Sequence, residues 1–121
     1  MLDFDRVLLS FYQLSNCKND KTDEVETLVK EAMKAVEAAL DVDKIVGEDI
    51  YACEYAAACS AVYDYVCREA FREQNAVTVS GSADINGNFS HRINAARELK
   101  KQAMSRIEWL MPGGGFMFET M

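Results

Sequence analysis

Glu48–Asn75 reads EDIYACEYAAACSAVYDYVCREAFREQN, directly after Gly47. Its charges gather at the two ends: Glu48, Asp49 and Glu54 first, then Arg68, Glu69, Arg72 and Glu73. Between Tyr55 and Tyr63 there is no charge. Such a stretch, helical throughout, is about 40 Å long. A helix that is apolar or small on nearly every face has to be covered on nearly every face. The segment is therefore predicted to be a central post, with the rest of the chain packed around it. Its tyrosines, Tyr51, Tyr55, Tyr63 and Tyr65, need partners for their hydroxyls, so some are expected at the domain surface or a subunit contact.

Working outward toward the amino terminus, Leu2–Leu14 is predicted to be a short helix. Phe4, Val7, Leu8, Phe11 and Tyr12 recur at spacings of three and four, while Asp3, Asp5, Arg6 and Ser10 are expected to face away. A polar turn, Ser15–Lys21, precedes a second helix ending near Leu40. Asp23 and Glu26 have capping-box spacing. Val25, Leu28, Val29, Ala32, Met33, Val36, Ala39 and Leu40 form its apolar stripe, opposite Lys30, Glu31, Lys34 and Glu37. Asp41–Gly47 then connects to the central helix.

Beyond the post, Ala76–Phe89 breaks the helical pattern. Val77-Thr-Val-Ser80 favours β structure, and Ile85–Phe89 contains an Asn-Gly turn signal, so a short β-hairpin-like loop is expected over 76–89. Ser90–Leu110 returns to helix, with Ile93, Ala96, Leu99, Ala103, Ile107 and Leu110 as its stripe. Arg92, Arg97, Lys100, Lys101 and Arg106 make it the most basic segment, and these cations are expected to pair with acidic neighbours. Pro112 stops the helix. Three glycines follow, and then Phe116, Met117 and Phe118. The predicted fold is mostly α: a small helical bundle around one long central helix, with residues 1–110 as the domain and 111–121 as a flexible C-terminal tail.

The totals agree with one such unit. A chain of 121 residues, half of them hydrophobic, buries roughly two-thirds of its unfolded surface on folding. A net charge of −7 disfavours gripping a phosphate backbone. The amino terminus is too acidic for a signal peptide, and no apolar run reaches about 18 residues, so a soluble protein made in the cytoplasm, with no membrane contact, is expected. The cysteines are Cys17, Cys53, Cys59 and Cys67. Cys53 and Cys67 share a helix face but lie nearly four turns apart, and Cys59 points elsewhere. They are read as buried small hydrophobes. His91, the single histidine, is read as a surface or capping residue. No catalytic, metal-binding or cofactor-binding set is assigned, and an enzyme is not expected. The residues that look unfinished in a lone subunit are Val77, Val79, Ile85 and Phe89 in the loop and Phe116, Met117 and Phe118 in the tail. These are the expected contacts with another chain, the alternative for the tail being that it folds back onto its own core.

The whole arrangement resembles the head–tail connector (adaptor, or head-completion) proteins of long-tailed phages and prophages. The features that carry the likeness are the opening helix LDFDRVLLSFYQL, the amphipathic helix DEVETLVKEAMKAVEAAL, the Ala/Tyr/Cys-rich ACEYAAACSAVYDYV, the segment AVTVSGSADI, and a last helix ending in PGGGFMF. The resemblance implies a structural ring subunit, typically one of twelve, at the virion neck. Its partners would be copies of itself, the portal protein, and the stopper or tail-completion protein, with DNA passing through the lumen unheld. The competing reading is a small helical protein-binding regulator with no virion role.

Overall fold

The computed structural model describes the backbone of residues 2–15, 22–80 and 85–112, and their side chains except at 22, 73–80 and 85–89. Four α-helices follow in order: α1 (Phe4–Ser15), α2 (Thr22–Ala39), α3 (Asp49–Ser80) and α4 (Ile85–Arg106). Short 3-10 turns at Val42–Lys44 and Glu108–Leu110 complete the described chain. No strand occurs among the described residues.

α3 touches every other helix, and α1 and α2 also touch each other. Directions follow from side-chain pairs. Asp3 and Phe11 of the α1 segment meet Glu54 and Tyr65 of α3, so those two helices run parallel. Arg72 near the far end of α3 meets Glu24 at the start of α2, so α2 runs antiparallel to both. Lys100 lies over the Tyr63 ring and Arg106 acts on Cys59, so α4 runs antiparallel to α3.

The middle of α3 explains the packing. Ala56, Ala57 and Ala58 are all fully buried. Consecutive helical residues point 100° apart, so three in a row can be buried only if neighbours stand on several sides. Small side chains let those neighbours come close, and the neighbours supply the bulk. Val7 and Phe11 come from α1, Val25, Val29, Val36 and Leu40 from the α2 side, and Met104, Ile107, Leu110 and Met111 from the end of α4 and the turn after it. Phe11 sits edge-on to both Tyr12 and Tyr65, with centroids 5.6 Å apart in each pair. That is the favoured aromatic geometry.

The β-hairpin-like loop expected over 76–89 is corrected by the helix boundaries. α3 does not stop at Asn75 but continues through Val77, Thr78 and Val79 to Ser80. The Asn-Gly pair lies inside the first turn of α4 instead of making a hairpin turn. The physical reason is cooperativity. Valine and threonine cost up to about 0.7 kcal/mol each relative to alanine in a helix. Extending an existing helix adds a hydrogen bond per residue without a new nucleus, whereas a lone hairpin is marginal in water. Residues 81–84, between the two helices, lie outside the described chain, as does the tail from Gly113 onward. Met111 is fully buried, so the core runs one residue past Leu110.

The connector is held by two carboxylates. Asp41 accepts from the Asp43 N–H at 3.2 Å, and Asp49 accepts from the Val46 N–H at 3.0 Å. Between them Gly47 takes φ +58°, the left-handed region. A Cβ added there meets nothing within 4 Å, so only the backbone conformation penalises a substitution. Gly47→Ala is expected to lower stability by about 1–2 kcal/mol in denaturant titration, and Gly47→Asn by less, because asparagine tolerates that conformation.

Candidate functional site

The features that sequence periodicity leaves unexplained gather at the two ends of the bundle. At one end lie the start of α1, the end of α2, the connector, the start of α3 and the turn after α4. The Asp41 N–H donates to the Leu110 carbonyl at 2.8 Å and ties the connector to the last turn. This end carries a buried acid. Glu54 is only 4% exposed, and three donors converge on its carboxylate. The Asp3 N–H reaches Oε2 at 2.7 Å, while Arg6 donates from Nε to Oε1 at 2.8 Å and from Nη2 to Oε2 at 2.9 Å. The Arg6 guanidinium also stands over the Tyr51 ring at 5.3 Å. The hydrogen bond to Glu54, with its charge, holds the Arg6 pKa above its ordinary value. Beside it, the Leu2 N–H donates to Glu37 Oε1 at 3.1 Å. The backbone N–H groups of the two residues just before α1 are thus satisfied by acids from α2 and α3. Arg6, expected to face away, instead bridges to the central helix.

Replacing Glu54 by alanine strands the Asp3 N–H in a part-buried position. The expected loss is about 1–3 kcal/mol in chemical denaturation, the usual cost of a buried donor left unpaired. Glu54→Gln, which keeps an acceptor, is expected to lose less.

Around this acid–arginine pair several large apolar side chains are exposed, among charged neighbours such as Asp43, Lys44 and Glu48. Val42 (63%), Val46 (71%), Tyr51 (56%) and Trp109 (58%) are all exposed. They come from the connector, the first turn of α3 and the turn after α4, three segments brought to one end by the fold. Trp109 formed no part of the sequence-derived contacts. Its signal was available: it is the single tryptophan, three residues before Pro112. The valines sit in the acidic connector DVDKIVG, where no periodicity flags them.

The opposite end is shaped by helix lengths. Arg72 bonds Glu24 at 3.1 and 2.6 Å and Glu69 at 3.0 Å. α2 begins two residues before Glu24, so the eight residues of α3 after Arg72 run past the helical part of α2. Phe71, 66% exposed, marks this level. Val77 and Val79 belong to the last turns of α3, and Ile85 and Phe89 to the first turns of α4. These four sequence-derived contact residues therefore share one end of the molecule, although their side chains are not described. Phe116, Met117 and Phe118 lie outside the described residues.

The ionisable groups of the interior do not converge. No group of three or more His, Cys, Asp or Glu among the described residues is placed to hold a metal ion. His91 is exposed on α4. Among the described residues no helix is long and apolar enough to cross a membrane. Cys53 and Cys59 are fully buried. Desolvation pushes both thiols up to about 11, away from the thiolate that reacts.

Both pKa values are raised, so the stability these protonated thiols contribute is fully present below the ordinary thiol value near 9. It is lost as pH rises through about 11, because the unfolded chain gives up its protons first. Alkylation at pH 8 is accordingly expected to leave Cys53 and Cys59 unmodified in the native protein and to label the half-buried Cys67 faster, with both buried thiols reacting once denaturant is added. Peptide mapping by mass spectrometry reads the result.

Comparison with protein-family models, with curated proteins and with solved structures returned no match.

Proposed function

We propose that this chain is a structural ring subunit of a phage neck, joining the portal of the head to the stopper or tail and surrounding the channel through which DNA leaves. The observation that carries the reading is the pair of unlike ends. One displays Val42, Val46, Tyr51 and Trp109 to solvent. The other is formed by α3 and α4, with α3 running on past the start of α2. Closed head-to-tail rings and end-to-end stacks both need two different contact faces on each subunit. Exposed aromatic and aliphatic side chains gathered at one end are what a docking face is made of.

Charge is compatible with the role. A subunit with net charge −7 repels the phosphate backbone, so DNA slides instead of sticking. Arg92, Arg97, Lys101 and Arg106 are exposed along α4. In this reading that face is turned away from the lumen, toward a neighbouring subunit. The partners are further copies of the chain, the portal protein and the stopper or tail-completion protein.

The test is electron microscopy of the purified protein mixed with portal-bearing heads. A ring seated on the portal vertex is expected. The double substitution Val46→Asp with Trp109→Ser is expected to keep the helical circular dichroism and to abolish the seated ring. A wild-type protein that never associates with portals, but captures a single soluble partner, supports the regulator reading instead.

A further inference from the structure

On the flank of the bundle, reaching from the start of α1 along the second half of α2, lies a shallow groove of about 280 Å³, lined by Phe4, Lys30, Met33, Lys34 and Glu37. Its floor is aromatic and thioether. Its rim carries two ammonium groups, and Lys30 Nζ stands 5.3 Å from the centroid of the Phe4 ring. The acid at the edge, Glu37, already accepts the Leu2 N–H at 3.1 Å. In a chain of net charge −7 this is a cationic, apolar recess. Its chemistry suits a segment that offers aromatic rings followed by a carboxylate.

The chain carries such a segment in residues 113–121, GGGFMFETM, where Phe116, Met117 and Phe118 precede Glu119. It also leaves the bundle in the right place. The Leu110 carbonyl is bonded to the Asp41 N–H at 2.8 Å, and Asp41 lies one turn beyond Glu37. Met33 is eight residues back from Asp41 along α2, about 12 Å. Phe116 is four residues beyond Pro112, a reach of up to about 14 Å in extended chain. Glu119, seven residues beyond Pro112, has a reach of up to about 24 Å in extended chain, enough to span the distance of about 16 Å from Asp41 back to Lys30.

We propose that the α1–α2 groove is the docking site of the protein's own C-terminal segment, with Phe116 and Phe118 against Phe4 and Met33 and Glu119 between Lys30 and Lys34. The tether makes this contact intramolecular, and a short tether gives it a high effective concentration. The assignment does not depend on the ring reading.

The test uses the full chain with methyl-labelled methionine. Nuclear Overhauser cross-peaks between the Met33 methyl and the rings of Phe116 and Phe118 are expected, unchanged in intensity per molecule across a dilution series. Phe116→Ser with Phe118→Ser is expected to remove them and to shift the Met33 methyl resonance. Lys30→Glu with Lys34→Glu is expected to weaken them, with helicity checked by circular dichroism. A Met33 resonance indifferent to the phenylalanine substitutions overturns the proposal. So do cross-peaks that fade on dilution, which assign the groove to the tail of a second copy.

Discussion

The structure depends on close approach at the middle of α3. Ala56, Ala57, Ala58 and Ala61 are fully buried, with Cys53 and Cys59 beside them. None of these side chains is large enough to fill space alone, so the helix is a slot that the others fill. Phe11, Leu40, Ile107 and Met111 do the filling. Large side chains on the covering elements match small ones on the post, which is how a jigsaw interior reaches native density. The same arrangement explains the dry, neutral thiols: sulfur replaces a methyl in the slot, and desolvation keeps its proton.

Much of this was legible in the residues. The α2 stripe repeats without a break, and Val25, Leu28, Val29, Ala32, Val36 and Leu40 are all buried. Val7 and Phe11 were likewise marked by spacing, and the uncharged run from Tyr55 to Tyr63 marked α3 as covered all round. What was not legible has physical causes. Val77, Thr78 and Val79 favour strands as individuals, but a helix already formed continues at small cost through such residues. The Arg6–Glu54 pair spans 48 positions, and no local pattern tells a charge facing water from one reaching another helix. Trp109, Val42 and Val46 lie in short turns, where periodicity says nothing about which way a side chain points.

The acid–arginine pair and the apolar end are best understood together. Glu54 is taken out of water, and what compensates it is a fork of two Arg6 nitrogens plus a backbone N–H. Arg6 is half exposed and screened by solvent, so the pair is a positioning device more than a large source of stability. Its effect is to fix where α1 begins relative to α3, and with it the setting of Tyr51 under the guanidinium. By holding Arg6 over the Tyr51 ring, the pair also keeps that aromatic side chain in register at the end face.

α3 has a mechanical consequence. It is 32 residues long, about 48 Å, and contains neither glycine nor proline from Asp49 to Ser80. Sharp kinks in helices arise at such residues or at inserted groups, so this one behaves as a stiff strut. Its first turn holds Tyr51 on the apolar end, and its last turns lie past the start of α2. A push or tilt applied at one end therefore appears at the other as a rigid displacement, without any rearrangement of the core between them. A protein clamped at both ends would transmit load along its length with little absorbed on the way.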